Sequence, residues 1–170
     1  MDAILYSSHT GHTAQYADLL AKKLGLNAYN LSQAKQAVPK HADVIFFGWV
    51  RKGNIVDYKK ANRRYHVLAT CAVGMGVPDP SVAEGLAAKN KITSGEVFYL
   101  QGGFHFDQLT GRDRFIMKRF RDTMIPRYEQ MRQAGTLEDA QLNMLKMIRD
   151  GGNAVSIDNL KPILDFCKEN

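Results

Sequence analysis

The stretch ILYSSHTGHTAQYADLL, residues 4–20, constrains the fold more than any other part of the chain. An apolar run ends at a small polar loop, and an amphipathic helical pattern begins at once. Ala3 to Ser8 reads as a short buried strand. His12 to Leu24 reads as a helix, with Tyr16, Ala17, Leu20 and Leu24 on one face and Gly25 as its stop. A helix N-terminus after a strand presents unpaired N–H groups at the positive end of the helix dipole, so it can hold an anion. Ser8, Thr10 and Thr13 add hydroxyl groups, and Gly11 lets the backbone approach a ligand closely. The loop contains no lysine or arginine. Ser and Thr are also ordinary N-caps, so the loop alone reads equally well as a plain helix start.

The rest of the chain repeats this alternation. Strands are expected at Leu26–Leu31, Asp43–Trp49, Val67–Ala72 and Val97–Gln101, and helices at Ile55–Arg64, Ser81–Lys89 and Leu160–Lys168. The last helix is entered through Ser156 and Asp158. Strands alternating with helices favour parallel βαβ units with right-handed crossovers. Between the last strand and the last helix lies an extra segment, about Gly103 to Val155. It reads as two helices. Pro126 is expected to kink or split the first, Arg112–Arg132. The capping-box pattern from Thr136 to Asp139 opens the second, and Gly151-Gly152 stops it.

Composition fits one domain over residues 1–170, with 45% hydrophobic residues. No leader pattern opens the chain and no apolar run is long enough to span a bilayer. Cys71 and Cys167 form neither a CxxC nor a zinc spacing, which fits reduced thiols in a cytoplasmic protein. The net charge of +6 is uneven. Arg51–Arg64 holds six basic residues against one acid, and Arg112–Arg132 holds seven against three. Such segments attract anionic partners or remain solvated helix faces. The phosphate pattern GxxxxGK[ST] and the dinucleotide pattern GxGxxG are both absent. His9 and His12 lack a third metal ligand, so no metal is expected; they are placed beside the bound anion. No hydrolase triad stands out. No nucleic-acid motif occurs and the aromatic residues are not interleaved with the basic ones, so no nucleic-acid partner is expected.

The opening loop, with Ala17 and Leu20 behind it, resembles the FMN-phosphate signature of the flavodoxin family at every defined position. Two further segments agree: Phe47 to Gly53, after the third strand, and Thr70 to Gly76, after the fourth. The resemblance implies an α/β flavodoxin-like three-layer sandwich. Its five-stranded parallel sheet would have the order 2-1-3-4-5, with FMN at the carboxyl ends of the strands. It assigns the phosphate to Ser8, His9, Thr10, Gly11, His12 and Thr13. It assigns the flavin ring to Gly48, Trp49, Val50, Arg51, Lys52 and Gly53 on one side. Thr70, Cys71, Ala72, Val73, Gly74, Met75 and Gly76 lie on the other. The insert, from GGFHFDQL at Gly102 to DRFIMK ending at Lys118, is similar to that of flavodoxin-like protoporphyrinogen oxidases. It is more similar still to a group of bacterial flavodoxin-domain proteins that share the Trp-Val-x-Lys-Gly element and a Met-rich insert. Electron-carrier flavodoxins, by contrast, are usually acidic and lack the insert. The implied function is FMN-dependent electron transfer or oxidoreduction. Protoporphyrinogen oxidation and a flavin-free interaction module are the alternatives.

Within that frame, Trp49 can stack on the flavin or belong to the core. Arg51 and Lys52 can stabilise reduced flavin, guide an anionic substrate, or be solvated. Gly48, Gly53, Gly74 and Gly76 would admit the backbone to the ring. Cys71 has no evident resolving partner and reads as a packing residue. In the insert, Ile116, Phe120, Met124 and Met131 recur at helical spacing, and Met117 and Ile125 widen the stripe. Arg114, Lys118, Arg119 and Arg121 fill the other faces. Such a helix can cover the flavin site, dock a redox partner protein or an anionic small-molecule substrate, touch a membrane surface peripherally, or pack on its own domain.

Overall fold

The computed structural model describes residues 1–169. Its strands in chain order are β1 (Ala3–Ser7), β2 (Ala28–Asn30), β3 (Asp43–Arg51), the two-residue β4 (Asn54–Ile55), β5 (His66–Gly74) and β6 (Glu96–Gln101). β2, β1, β3, β5 and β6 are neighbours in that order and all parallel. This is the five-strand order expected from the sequence. β4 folds back antiparallel onto the end of β3, an element the sequence reading lacks. β3 is central because its run DVIFFG is apolar on both faces. Val44 and Phe46 face one layer, while Ile45 and Phe47 face the other.

The first layer contains α2 (Ala34–Ala37), α3 (Tyr58–Arg64) and α4 (Pro80–Asn90). Ala34, Tyr58, Ala61 and Leu86 pack there against Leu5, Val44, Phe46 and Val67. The second layer contains α1 (His12–Leu24) and α7 (Lys161–Glu169). Tyr16, Leu20 and Ile163 pack there against Ile4, Ile45, Phe47 and Val73. Each fully buried Phe, Ile or Leu in these layers contributes roughly 1.5–3 kcal/mol of transfer free energy.

The insert consists of α5 (Gly111–Gln133) and α6 (Asp139–Asp150), closed at its base by the short antiparallel pair β7 (Gly103–Phe104) and β8 (Gly152–Asn153). Three expectations change here. Pro126 sits inside α5 without splitting it, and the helix continues to Gln133. The capping box of α6 lies two residues later than expected. Glu138 is the cap, and its N–H donates to Gln141 Oε1 at 3.0 Å. Thr136 instead closes the previous helix, its N–H and hydroxyl both donating to the Met131 carbonyl. The helix expected from Ile55 starts at Tyr58, because Ile55 pairs with Val50 and Asp57 takes a left-handed conformation.

Tyr16 ties the insert to the sheet. Its ring is fully buried, and its hydroxyl donates to the Gln101 carbonyl at 2.6 Å and lies 3.3 Å from the Ala154 carbonyl. Asn159 Nδ2 donates to the same hydroxyl at 2.6 Å and to Ala154 O at 2.9 Å. Gln101 is the last residue before the insert, and Ala154 follows it. Burial raises the Tyr16 pKa, so the phenol remains a donor. Tyr16→Phe removes the donor to the buried Gln101 carbonyl and the acceptor for Asn159, and is expected to lower stability by about 1–3 kcal/mol in a denaturant titration; a change under about 0.5 kcal/mol contradicts this role.

Candidate functional site

The loop from Ser8 to Gly11 joins β1 to α1 at the carboxyl edge of the sheet. Gly11 is the N-cap residue, with φ of +95°, a left-handed conformation that favours glycine. The first turn of α1 carries no acidic residue, so its free N–H groups face no competing carboxylate. Ser8 Oγ accepts from Gly11 N–H at 3.2 Å, which holds the turn closed. Thr13 is buried in the first turn of α1. His9 and His12 diverge. His9 is exposed and stacks on Trp49, ring centroids 5.2 Å apart. His12 is buried and stacks on His105 of the insert, also at 5.2 Å. Burial, and then the neighbouring His105, lower the His12 pKa. Of the two histidines expected beside an anion, only His9 lies on the exposed side of the loop.

The second segment is not a loop. β3 runs to Arg51, so Trp49, Val50 and Arg51 lie on a strand end paired with β4, and Lys52 and Gly53 form its hairpin turn. Both turn residues have positive φ. The Lys52 carbonyl accepts from Lys89 Nζ at 2.6 Å. Gly48 has a packing reason: a Cβ there would lie 2.6 Å from Ile55 Cγ2 and 2.9 Å from the Val56 carbonyl. Trp49 is half-buried at the edge. The Arg51 guanidinium sits 5.9 Å from the Trp49 ring centroid and pairs with Asp113 at the start of α5. His9 Nε2 lies 3.7 Å from the same carboxylate. Sequence reasoning missed Asp113, since nothing in its local pattern points across to Arg51.

The third segment is also mostly strand. β5 extends to Gly74, so Thr70, Cys71, Ala72 and Val73 are buried between β3 and β6. A side-chain role at the sheet edge is thereby closed to Thr70, Cys71 and Ala72. Their run of apolar and β-branched residues favours a buried parallel strand over a loop. Complete burial pushes the Cys71 thiol pKa well up, with Cys167 adding to the effect, so it is no redox nucleophile. Only Gly74, Met75 and Gly76 reach the edge. Gly74 is required by Tyr99, whose Oη would lie 2.4 Å from an added Cβ, and Gly76 N–H donates to that same hydroxyl at 3.0 Å. Met75 packs against the insert cluster of Phe104, Leu109 and Met147. Gln101 Nε2 donates both to the Met75 carbonyl at 3.0 Å and to Asn143 of α6 at 2.6 Å. The insert thus touches the second and third segments and walls the edge between them.

A parallel sheet in this order, with an anion-type turn after its first strand, defines a doubly wound α/β protein whose binding edge lies at the carboxyl ends of its strands. The family model for the flavodoxin domain matches residues 3–124, and the chain belongs to that family. Members generally bind flavin, usually FMN, and serve in electron transfer. The match covers every strand of the main sheet and runs into α5. No curated protein is significantly similar to the chain. Among the described residues, no helix is long and apolar enough to cross a membrane.

Burial of His12, with His105 beside it, is expected to make folding sensitive to pH. A buried histidine with a lowered pKa binds a proton more readily once unfolded. Its contribution is therefore complete above the unfolded pKa of about 6.5 and is lost as pH falls from there through the lowered folded value. The melting temperature is expected to fall on acidification from pH 7.5 to 5, and to fall less steeply in His12→Gln. Parallel pH profiles for the two proteins contradict this assignment.

Proposed function

We propose that this protein binds FMN non-covalently at the carboxyl edge of its sheet and works as an electron-transfer protein or FMN-dependent oxidoreductase. The observation that carries the reading is the convergence there of a glycine-capped, acid-free helix N-terminus with Trp49 and the Gly74–Gly76 turn. The residues fit the cofactor. The first-turn N–H groups of α1, with the Ser8 and Thr10 hydroxyls, offer donors to the phosphate. Trp49 offers a flat apolar face for the ring and keeps water from it. The backbone of Gly74–Gly76 offers a close approach on the far side. Bound flavin supplies one- or two-electron redox chemistry.

The chain's own residues then set the surroundings. Arg51 was a candidate cation for reduced flavin, but Asp113 takes up its charge, which leaves the ring edge less positive than the sequence implies. The insert, through Asp113, Met75 and the Gln101–Asn143 bridge, limits access to that edge. A redox partner protein or an anionic substrate would approach along it. One observation favours protoporphyrinogen oxidation as the second reading. Arg112, Arg119 and Arg127 are exposed on α5 and have no carboxylate partner among the described residues, so they can receive two propionates. Oxidation of protoporphyrinogen by the FMN-loaded protein with a quinone acceptor decides for that reading, and no turnover decides against it.

The purified protein is expected to show flavin absorption bands, or to bind added FMN saturably with quenching of Trp49, its only tryptophan. Trp49→Ala, followed by flavin fluorescence, is expected to weaken FMN binding about three- to tenfold, the size of one lost aromatic stack. A folded sample without colour and without saturable FMN binding overturns the redox reading.

A further inference from the structure

A second cavity opens on the other face of the sheet. It has a volume of about 530 Å³ and lies at the carboxyl ends of β1 and β2, beside α2 and α3. Strand periodicity separates it from the phosphate loop. Ala3 and Leu5 pack into the α2–α4 layer, and Ile4 packs into the α1–α7 layer. Ser7 follows Leu5 at period two and so faces α3, where its hydroxyl donates to Asp57 Oδ2 at 2.8 Å. Ser8, one residue on, belongs to the loop that enters α1.

The lining is strongly cationic. Lys35, Lys40, Lys60, Arg63 and Arg64 all border the cavity, and Asp57 is the one carboxylate among the lining residues. That carboxylate is already engaged, by Lys60 Nζ at 2.6 Å and by Ser7. Arg64 is held in place by its own neighbour, with Nε donating to Tyr65 Oη at 3.2 Å and the guanidinium over the Tyr65 ring. Lys35, Lys40 and Arg63 have no ion-pair partner among the described residues. Like charges gathered around one concavity repel each other unless a counter-charge joins them. Asn30 and Ser32 add an amide and a hydroxyl at the rim. Two adjacent arginines suit oxyanions because their planar donor forks match phosphate and carboxylate oxygens.

We propose that this cavity binds a small multivalent oxyanion, a phosphate ester or a polycarboxylate, through Lys35, Lys40, Arg63 and Arg64. Its volume lies within the range of about 300–1,000 Å³ typical of small-molecule sites, which admits a ligand of nucleotide size. The site is independent of the FMN reading, because it uses the opposite layer of the fold.

The test is isothermal titration of the whole protein with pyrophosphate, ATP and citrate at constant ionic strength, with sodium chloride as the control. At least one of the three is expected to bind saturably at one equivalent. The double variant Lys35→Gln/Arg63→Gln changes two exposed residues and is expected to weaken that binding about tenfold or more. Lys40→Gln, on the segment after α2, is the second variant if the double variant does not fold, and it is expected to weaken binding severalfold. Ser8→Ala, in the phosphate loop, is expected to leave it unchanged. Binding of ATP and pyrophosphate without citrate assigns a phosphate ester, citrate alone assigns a polycarboxylate, and binding of both kinds supports the class as stated. The proposal is overturned if none of the three binds saturably. It is also overturned if the cavity variants bind as well as the unaltered protein, as they would if the anion sat in the phosphate loop.

Discussion

The Tyr16 hydroxyl is the point on which the arrangement of this protein depends. α1 follows the phosphate loop, and its inner face carries Tyr16 into the core. There one phenol reaches the Gln101 carbonyl, where the chain leaves the sheet, and Ala154, where it returns. The Ala154 N–H donates to the Gly102 carbonyl at 2.8 Å, and the Gly102 N–H donates to the Gly74 carbonyl at 2.7 Å. The insert is therefore fixed at its base to the same strand ends that form the binding edge. Its ordering entropy is offset by contacts beside the site.

Charged and hydrogen-bonded contacts also link the insert to the site. α5 begins with Asp113 against Arg51 and His9, while α6 reaches Met75 through Asn143 and Gln101. A simple electron carrier leaves its flavin edge open to many partners. Here a two-helix wall with exposed arginines and one well-exposed aromatic, Phe115, stands beside the edge. On the proposed reading, a wall of that kind would restrict which molecules reach a bound flavin. The exposed pairs along α5, such as Lys118 with Asp122, add little stability by themselves.

Much of the fold was legible because its signals are local. The apolar run of β3, the alternation of strands and helices, and the Gly11 turn each follow from a few adjacent residues. Strand ends were less legible. Trp49 and Thr70 to Ala72 fall within the expected strands, but Val50–Arg51 and Val73–Gly74 read as loop because the glycines near them suggested turns, yet Gly48 and Gly74 are there to admit Ile55 and Tyr99. Long-range pairs left no trace in the sequence, as with Asp113 and Arg51. The basic stretch from Arg51 to Arg64 was visible as charge. That Lys35 and Lys40 join it around one cavity depends on the β2–α2 connection, which only the folded chain supplies.

The central claim is that the cofactor spans the phosphate loop, the end of β3 and the turn after β5. The most direct test is a map of backbone and indole N–H chemical shifts as FMN is added to the isotopically labelled protein. The account predicts saturable shifts at Gly11 to Thr13, at the Trp49 indole and at Gly74 to Gly76, with smaller ones at Asp113. Shifts confined to Lys35, Lys40, Arg63 and their neighbours, or to α5 alone, would place FMN elsewhere and contradict it.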